Sequence, residues 1–196
     1  MPTERILITV KTYPTLSAKY GELVCTAGLR RDGSWIRIYP VPFRQLEAYQ
    51  KFPKYSFIEA EVVRNHKDAR PESHKVNTDT LNLTGEVLST DDHWRERRQW
   101  ILKRGTVHTN LTELIEANKR GELSIATFKP AKILDFKAEA DKPDWGDEKL
   151  AAVDALASQG DLFSGWKGAD LAALIRKLPW KFSYALEDDE IGRAHV

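Results

Sequence analysis

Apolar and polar positions alternate along much of the first third of the chain, the two-residue period of a half-buried strand. ERILITVKTY over residues 4–13 is alternating and β-branched and predicts a strand, followed by a loop from Pro14 to Gly21. Glu22–Leu29 predicts a second strand and Ser34–Val41 its return, joined at Arg31-Asp-Gly-Ser34, where Asp-Gly supplies the positive φ of a tight hairpin. Pro40 and Pro42 end the returning strand, since neither donates to a ladder. Phe43–Phe52 reads as a short helix. Residues 55–64 predict another strand, whose Phe57, Ala60 and Val62 break strict alternation and leave room for a bulge. Polar residues 65–77, with Pro71, predict a loop or irregular edge.

The period changes after residue 90. Asp91–Arg104 predicts a helix, with two aspartates at its start and Lys103 and Arg104 at its end, each favourable to the helix dipole. Thr109 or Asn110 caps a second helix, Leu111–Arg120, which Gly121 stops. Residues 123–136 read as strand interrupted by Pro130, residues 139–149 as an acidic linker, and Leu150–Ala157 and Ala169–Leu178 as helices. Trp180–Leu186 closes the pattern as a strand with Trp180, Phe182, Tyr184 and Leu186 on one face. Strands, then helices, then strands again lack the βαβ rhythm of a parallel sheet. The fold class this implies is α+β with small antiparallel barrels.

The whole chain of 196 residues carries a net charge of only +1, which argues against a polyanion binder until its distribution is considered. Residues 1–75 hold thirteen Lys/Arg against eight Asp/Glu; residues 135–196 hold eight against thirteen. A basic front can meet phosphates while the molecule stays near neutral. Chance segregation, or attraction between the two parts, explains the split equally well. Cys25 is the single cysteine, so no internal disulfide forms; with no signal-peptide pattern and no membrane-length apolar run, the cytoplasm is the expected compartment.

The stretch WIRIYPVPFR, Trp35–Arg44, bears the chemistry that stands out. Arg37 and Tyr39 share a strand face, the guanidinium suited to phosphate or a base edge and the ring to base stacking. An ordinary solvent face accounts for them equally. Lys11, Arg44 and Lys54 are further cations at strand ends. The segment Asp68–Lys75 packs Arg70, Ser73, His74 and Lys75 into a candidate phosphate loop. Asp68 and Glu72 either orient Arg70 or, with His74, act as general acid or base. The charges of the 91–104 helix are read as a solvated face, with core packing expected for Trp94 and Ile101. No catalytic motif, metal-ligand spacing or cofactor motif is present, so no catalytic residue, metal or cofactor is assigned.

KTYP (Lys11–Pro14), CTAG (Cys25–Gly28), WIRIYPVPFR, DARPES (Asp68–Ser73) and LPWKFSYALEDD (Leu178–Asp189) together resemble a prokaryotic family described as the dual OB-containing domain. The resemblance implies two small antiparallel OB-like β-barrels with helical insertions. Residues 1–90 would form the first barrel, 91–122 a helical connection, and 123–196 a second barrel, incomplete or with its last strand supplied from elsewhere. It also implies nucleic-acid or nucleotide binding, in prokaryotic defence. The leading expectation is therefore a non-membrane nucleic-acid-binding module using Lys11, Arg37, Tyr39, Arg44, Lys54, Arg70, Ser73 and His74. A nucleotide- or nucleic-acid-processing enzyme centred on the Asp68–His74 loop is the first alternative. A protein-interaction module, docking through the acidic C-terminal part and an apolar patch at Phe163, Trp166 and Trp180, is the second.

Overall fold

The computed structural model describes residues 2–17, 21–41, 46–47, 50–157, 170, 173, 175–189 and 193–195. Seven strands of the first part join one sheet: β1 (Thr3–Lys11), β2 (Thr15–Ser17), β3 (Gly21–Arg30), β4 (Trp35–Val41), β5 (Ser56–Arg64), β6 (Ser73–Val76) and β7 (Asn82–Val87). Five of them close a ring in the order β1-β3-β4-β6-β5, sealed by antiparallel pairing of β1 with β5. The β4–β6 pair is parallel and every other junction of the ring is antiparallel, so the barrel is mixed rather than antiparallel. The strand that completes it, β6, lies inside the polar segment whose sequence reads as a loop or irregular edge.

Alternation then sorts the side chains. Ile6, Ile8, Ile36, Ile38, Ile58, Ala60 and Val62 point inward, and with Leu46, Phe52 and Leu81 they form a dry core. Leu7, Leu29 and Phe57 have the opposite parity yet are also buried. A second apolar layer covers them from outside, with Trp100 edge-on to Phe57 at 5.1 Å between ring centres. Strands buried on both faces explain why Phe57 breaks the sequence period. Gly28 is required where β3 crosses β1, because a Cβ there would lie 2.2 Å from the Leu7 carbonyl oxygen. The hairpin tip is a three-residue loop closed between Arg30 and Ser34, with Gly33 at φ +87°. A Cβ on Gly33 would lie 1.9 Å from the Arg104 carbonyl oxygen, so the tip fits only as glycine against that backbone.

The covering layer is α1 (Asp91–Arg98), continued by a π-helical stretch, Gln99–Arg104. It departs from the regular helix that the sequence predicts, since Asp92, His93 and Trp94 have left-handed φ between 49° and 62°. Trp94 consequently stands 58% exposed instead of packing in the core. Among the described residues two cations on this element rest on rings: Arg97 stacks over Tyr55 at 4.1 Å and Arg104 over Trp100 at 4.2 Å.

The rest of the chain is built differently. A parallel pair, β8 (Val107–His108) and β9 (Thr127–Phe128), brackets α2 (Leu111–Lys119), whose first turn is capped by the Asn110 side chain accepting from Glu113 N–H. An open sheet of β10 (Lys132–Ala140), β11 (Trp180–Glu187) and β12 (Arg193–His195) follows, with α3 (Asp147–Ala157) between its first two strands. This sheet does not close, and the expectation of two OB-like barrels is corrected to one barrel plus an open three-stranded sheet. The physical reason is visible in β10, where all nine residues are exposed: among the described residues no strand curls back to pair its outer edge and no apolar layer covers its face. The predicted helix at 43–52 and the loop holding Phe163 and Trp166 fall largely or wholly outside the described residues. Among the described residues no helix is long and apolar enough to cross a membrane.

Candidate functional site

The parallel register of β4 and β6 sets Arg37 opposite Ser73 and Ile38 opposite His74. Arg37 and Ser73 therefore share the outer face, while His74 follows Ile38 to the inner one. This alternation divides the sequence-predicted site.

On the outer face, the Arg37 backbone N–H donates to the Glu72 carbonyl at 2.9 Å, which ties the Asp68–Ser73 loop to β4. That loop is a clamp around Asp68. Its carboxylate accepts from Arg70 Nε at 2.9 Å and Arg70 Nη2 at 2.7 Å, from the Arg70 backbone N–H at 3.1 Å, and from the Ser73 hydroxyl at 2.7 Å. The Arg70 guanidinium, followed by the Ser73 hydroxyl, holds the Asp68 carboxyl far below the usual carboxylate range. Arg70 is 41% exposed at its side chain, and its Nη1 has no protein partner among the described residues. Tyr39 and Cys25 lie close enough to act on its charge. Arg37 differs from Arg70: it is half-buried and forms no ion pair among the described residues, and its Nε is buried with no hydrogen-bond partner. A cation held in a partly dry place without a counter-charge is costly unless a ligand completes it.

His74 belongs to a different structure, a polar plug at the end of the barrel where β1 begins. Its Nδ1 donates to the Glu72 carbonyl at 2.8 Å, which fixes the tautomer and leaves Nε2 to accept from Arg30 Nη2 at 3.0 Å. Arg30 in turn donates through Nε to Glu4. Both ring nitrogens are thus engaged, and burial, then the Arg30 charge, push the His74 pKa below its ordinary value. Lys11 sits at the far end of β1, donating to the Phe52 carbonyl at 3.1 Å. Burial and the neighbouring Lys54 lower its pKa. The structure thus groups Arg37, Tyr39, Arg70 and Ser73, pairs Lys11 with Lys54 elsewhere, and assigns His74 to the plug. Arg44 lies outside the described residues.

Asp68 does orient Arg70, as one reading of the sequence expects, but Glu72 does not. Its carboxylate accepts from the Ser124 backbone N–H at 2.8 Å and the Ser124 hydroxyl at 2.6 Å, fastening the barrel to the second part of the chain. A further seam packs Leu16 against Val153 and Ile175, beside Trp145. Sequence reasoning missed both seams, because contacts separated by fifty residues or more leave no local pattern. The free thiol of Cys25 is half-buried. Among the described residues no group of three or more His, Cys, Asp or Glu could hold a metal ion.

Barrel, clamp and seams define a chain of two unlike domains, one closed and one open. Residues 2–103 match the family described as a domain of unknown function, DUF8758, and the chain belongs to that family. Residues 105–196 match a second, DUF8757, likewise described as a domain of unknown function. The two-domain organisation implied by the resemblance stands, although neither description names an OB fold. No curated protein and no solved structure matches the chain.

Proposed function

We propose that the outer face of β3 and β4 binds single-stranded nucleic acid, with Arg37 and Arg70 on phosphates and Tyr39 against a base. The observation that carries this reading is the half-buried Arg37 guanidinium, with its partnerless Nε, beside an arginine made rigid by Asp68. Connectivity adds to it. A five-stranded ring with one parallel junction resembles an OB barrel in its connectivity, which supports the reading, since OB barrels bind oligonucleotides on the face of their second and third strands. Those strands are β3 and β4 here. A prearranged cation loses less freedom on binding than a mobile one. The carboxylates of Asp68 and Glu72 are both committed to protein donors, which favours binding over acid–base chemistry at this loop. The resemblance extends the reading to a cytoplasmic role in prokaryotic defence.

Fluorescence polarisation with single-stranded and duplex oligonucleotides across a salt series tests the proposal. The expected result is single-strand binding that weakens steeply with salt, as counterion release requires. Arg37→Ala should weaken it by about tenfold or more, the scale of a charge-assisted hydrogen-bonded contact. Absence of binding at low salt, or binding indifferent to Arg37→Ala with Arg70→Ala, overturns it.

A further inference from the structure

The open sheet exposes an edge whose charges are complementary to themselves. β10 is the terminal strand in the order β10-β11-β12, and among the described residues β11 is its one partner. The β10–β11 register places Phe136 opposite Tyr184 and Ala138 opposite Phe182, so the rings share one face. Phe136 and Phe182 are stacked at 6.0 Å and 7°, and Phe136 lies 4.9 Å from Tyr184. All three rings are about half exposed, at 50%, 54% and 47%. The opposite face carries Asp135 and Lys137, within 4.0 Å of each other and exposed. An irregularity at Leu134 interrupts the ladder on the N-terminal side, and from Asp135 to Ala140 the register with β11 is regular.

We propose that β10 pairs antiparallel with β10 of a second copy of this chain, Phe136 opposite Phe136. In that register Asp135 of each copy faces Lys137 of the other, giving two opposite-charge cross-strand pairs on one face. On the other face the row of rings runs unbroken across the seam. A long exposed strand edge of this kind is a template for pairing with another chain. Acidic and basic residues balance along β10, with Lys132 and Lys137 against Asp135 and Glu139, which fits a second copy better than a polyanion.

Charge reversal tests the register on the full chain by sedimentation equilibrium at increasing concentration. The wild-type chain dimerises. Asp135→Lys alone sets lysine against Lys137 and Lys137→Asp alone sets aspartate against Asp135, and each weakens the dimer about tenfold or more. An equimolar mixture of the two single variants restores association as a heterodimer, as does the double variant with itself. Because both positions are exposed, circular dichroism of each variant should match the wild type. A wild-type chain that stays monomeric overturns the proposal, as does a dimer insensitive to either reversal or a mixture that fails to recover. Protection of β10 amides only on addition of a single-stranded oligonucleotide, in a monomer, assigns the ribbon to nucleic acid and also overturns it.

Discussion

The β4 strand and the β10 strand look alike on paper and end in opposite situations. Both alternate, both carry aromatic and charged residues, and both begin an antiparallel or mixed ladder. In β4, Ile36 and Ile38 are fully buried while Arg37 and Tyr39 sit half-covered between β3 and β6. In β10, every residue is exposed. What separates them is closure. Four residues, Ser73–Val76, pair with both β4 and β5 and turn a curled sheet into a ring. Once closed, the ring has one dry side, and a polar group on its outer face gains neighbours that can fix it. Among the described residues the open sheet has no such side, so within one chain its apolar residues stay wet and the outer edge of β10 has no partner strand.

The largest effects should come from the closed region. Ile58→Ala removes a fully buried side chain from the ring interior and should cost about 3–4 kcal/mol in urea unfolding. Gly28→Ala should cost about 3 kcal/mol, because its methyl would meet the Leu7 carbonyl and β1 and β3 would have to part. The comparison fails if either variant unfolds with the wild-type midpoint.

Asp68→Asn should cost about 2 kcal/mol, since Arg70 and Ser73 lose a charged acceptor. Its pH signature is specific. The Asp68 carboxyl titrates lower in the folded state than its ordinary 3.8. The stability it contributes is therefore present above that value and is lost as pH falls below it. Asp68→Asn should flatten the acid limb of the stability curve there, measured by thermal unfolding.

His74 gives a smaller effect in a separate window. Its folded pKa is depressed from 6.5, so the unfolded state takes up the proton first. Stability is complete above that value and declines as pH drops from it toward the folded value, by at most about 1.4 kcal/mol per pH unit. His74→Gln should remove that slope while leaving the Asp68 limb intact. At the far end of the scale, Phe182→Ser in the open sheet should shift stability by no more than about 0.5 kcal/mol, as expected for an exposed position. A loss of several kcal/mol there would show that the ribbon is packed and would remove the contrast.

Much of the barrel was legible in the chain because its signals are local. The 4–13 strand, the Asp-Gly hairpin and the 55–64 strand follow from alternation and turn chemistry. β6 was not legible: four residues among Arg70, Pro71, Glu72 and Lys75 offer no apolar period, and their pairing depends on strands that arrive from elsewhere. The same limit applies to the site. Arg37, Tyr39, Arg70 and Ser73 could be singled out by residue type, and Asp68 recognised as the orienter of Arg70. Which way His74 points depends on the parallel register of β6, and that Glu72 holds Ser124 depends on a fold spanning both domains. In the second domain the alternation of WKFSYAL correctly put Trp180, Phe182 and Tyr184 on one face. Alternation states which residues share a face, and closure decides whether that face is covered.

Two-dimensional NMR of the labelled chain, titrated with a short single-stranded oligonucleotide, tests most directly the proposal that the outer face of β3 and β4 is the ligand-binding surface. Shift changes gathered on Cys25, Arg37, Tyr39 and Arg70, with β10 and β11 unmoved, are the expected result. Changes confined to Phe136, Phe182 and Tyr184, or spread evenly over both domains, would contradict it.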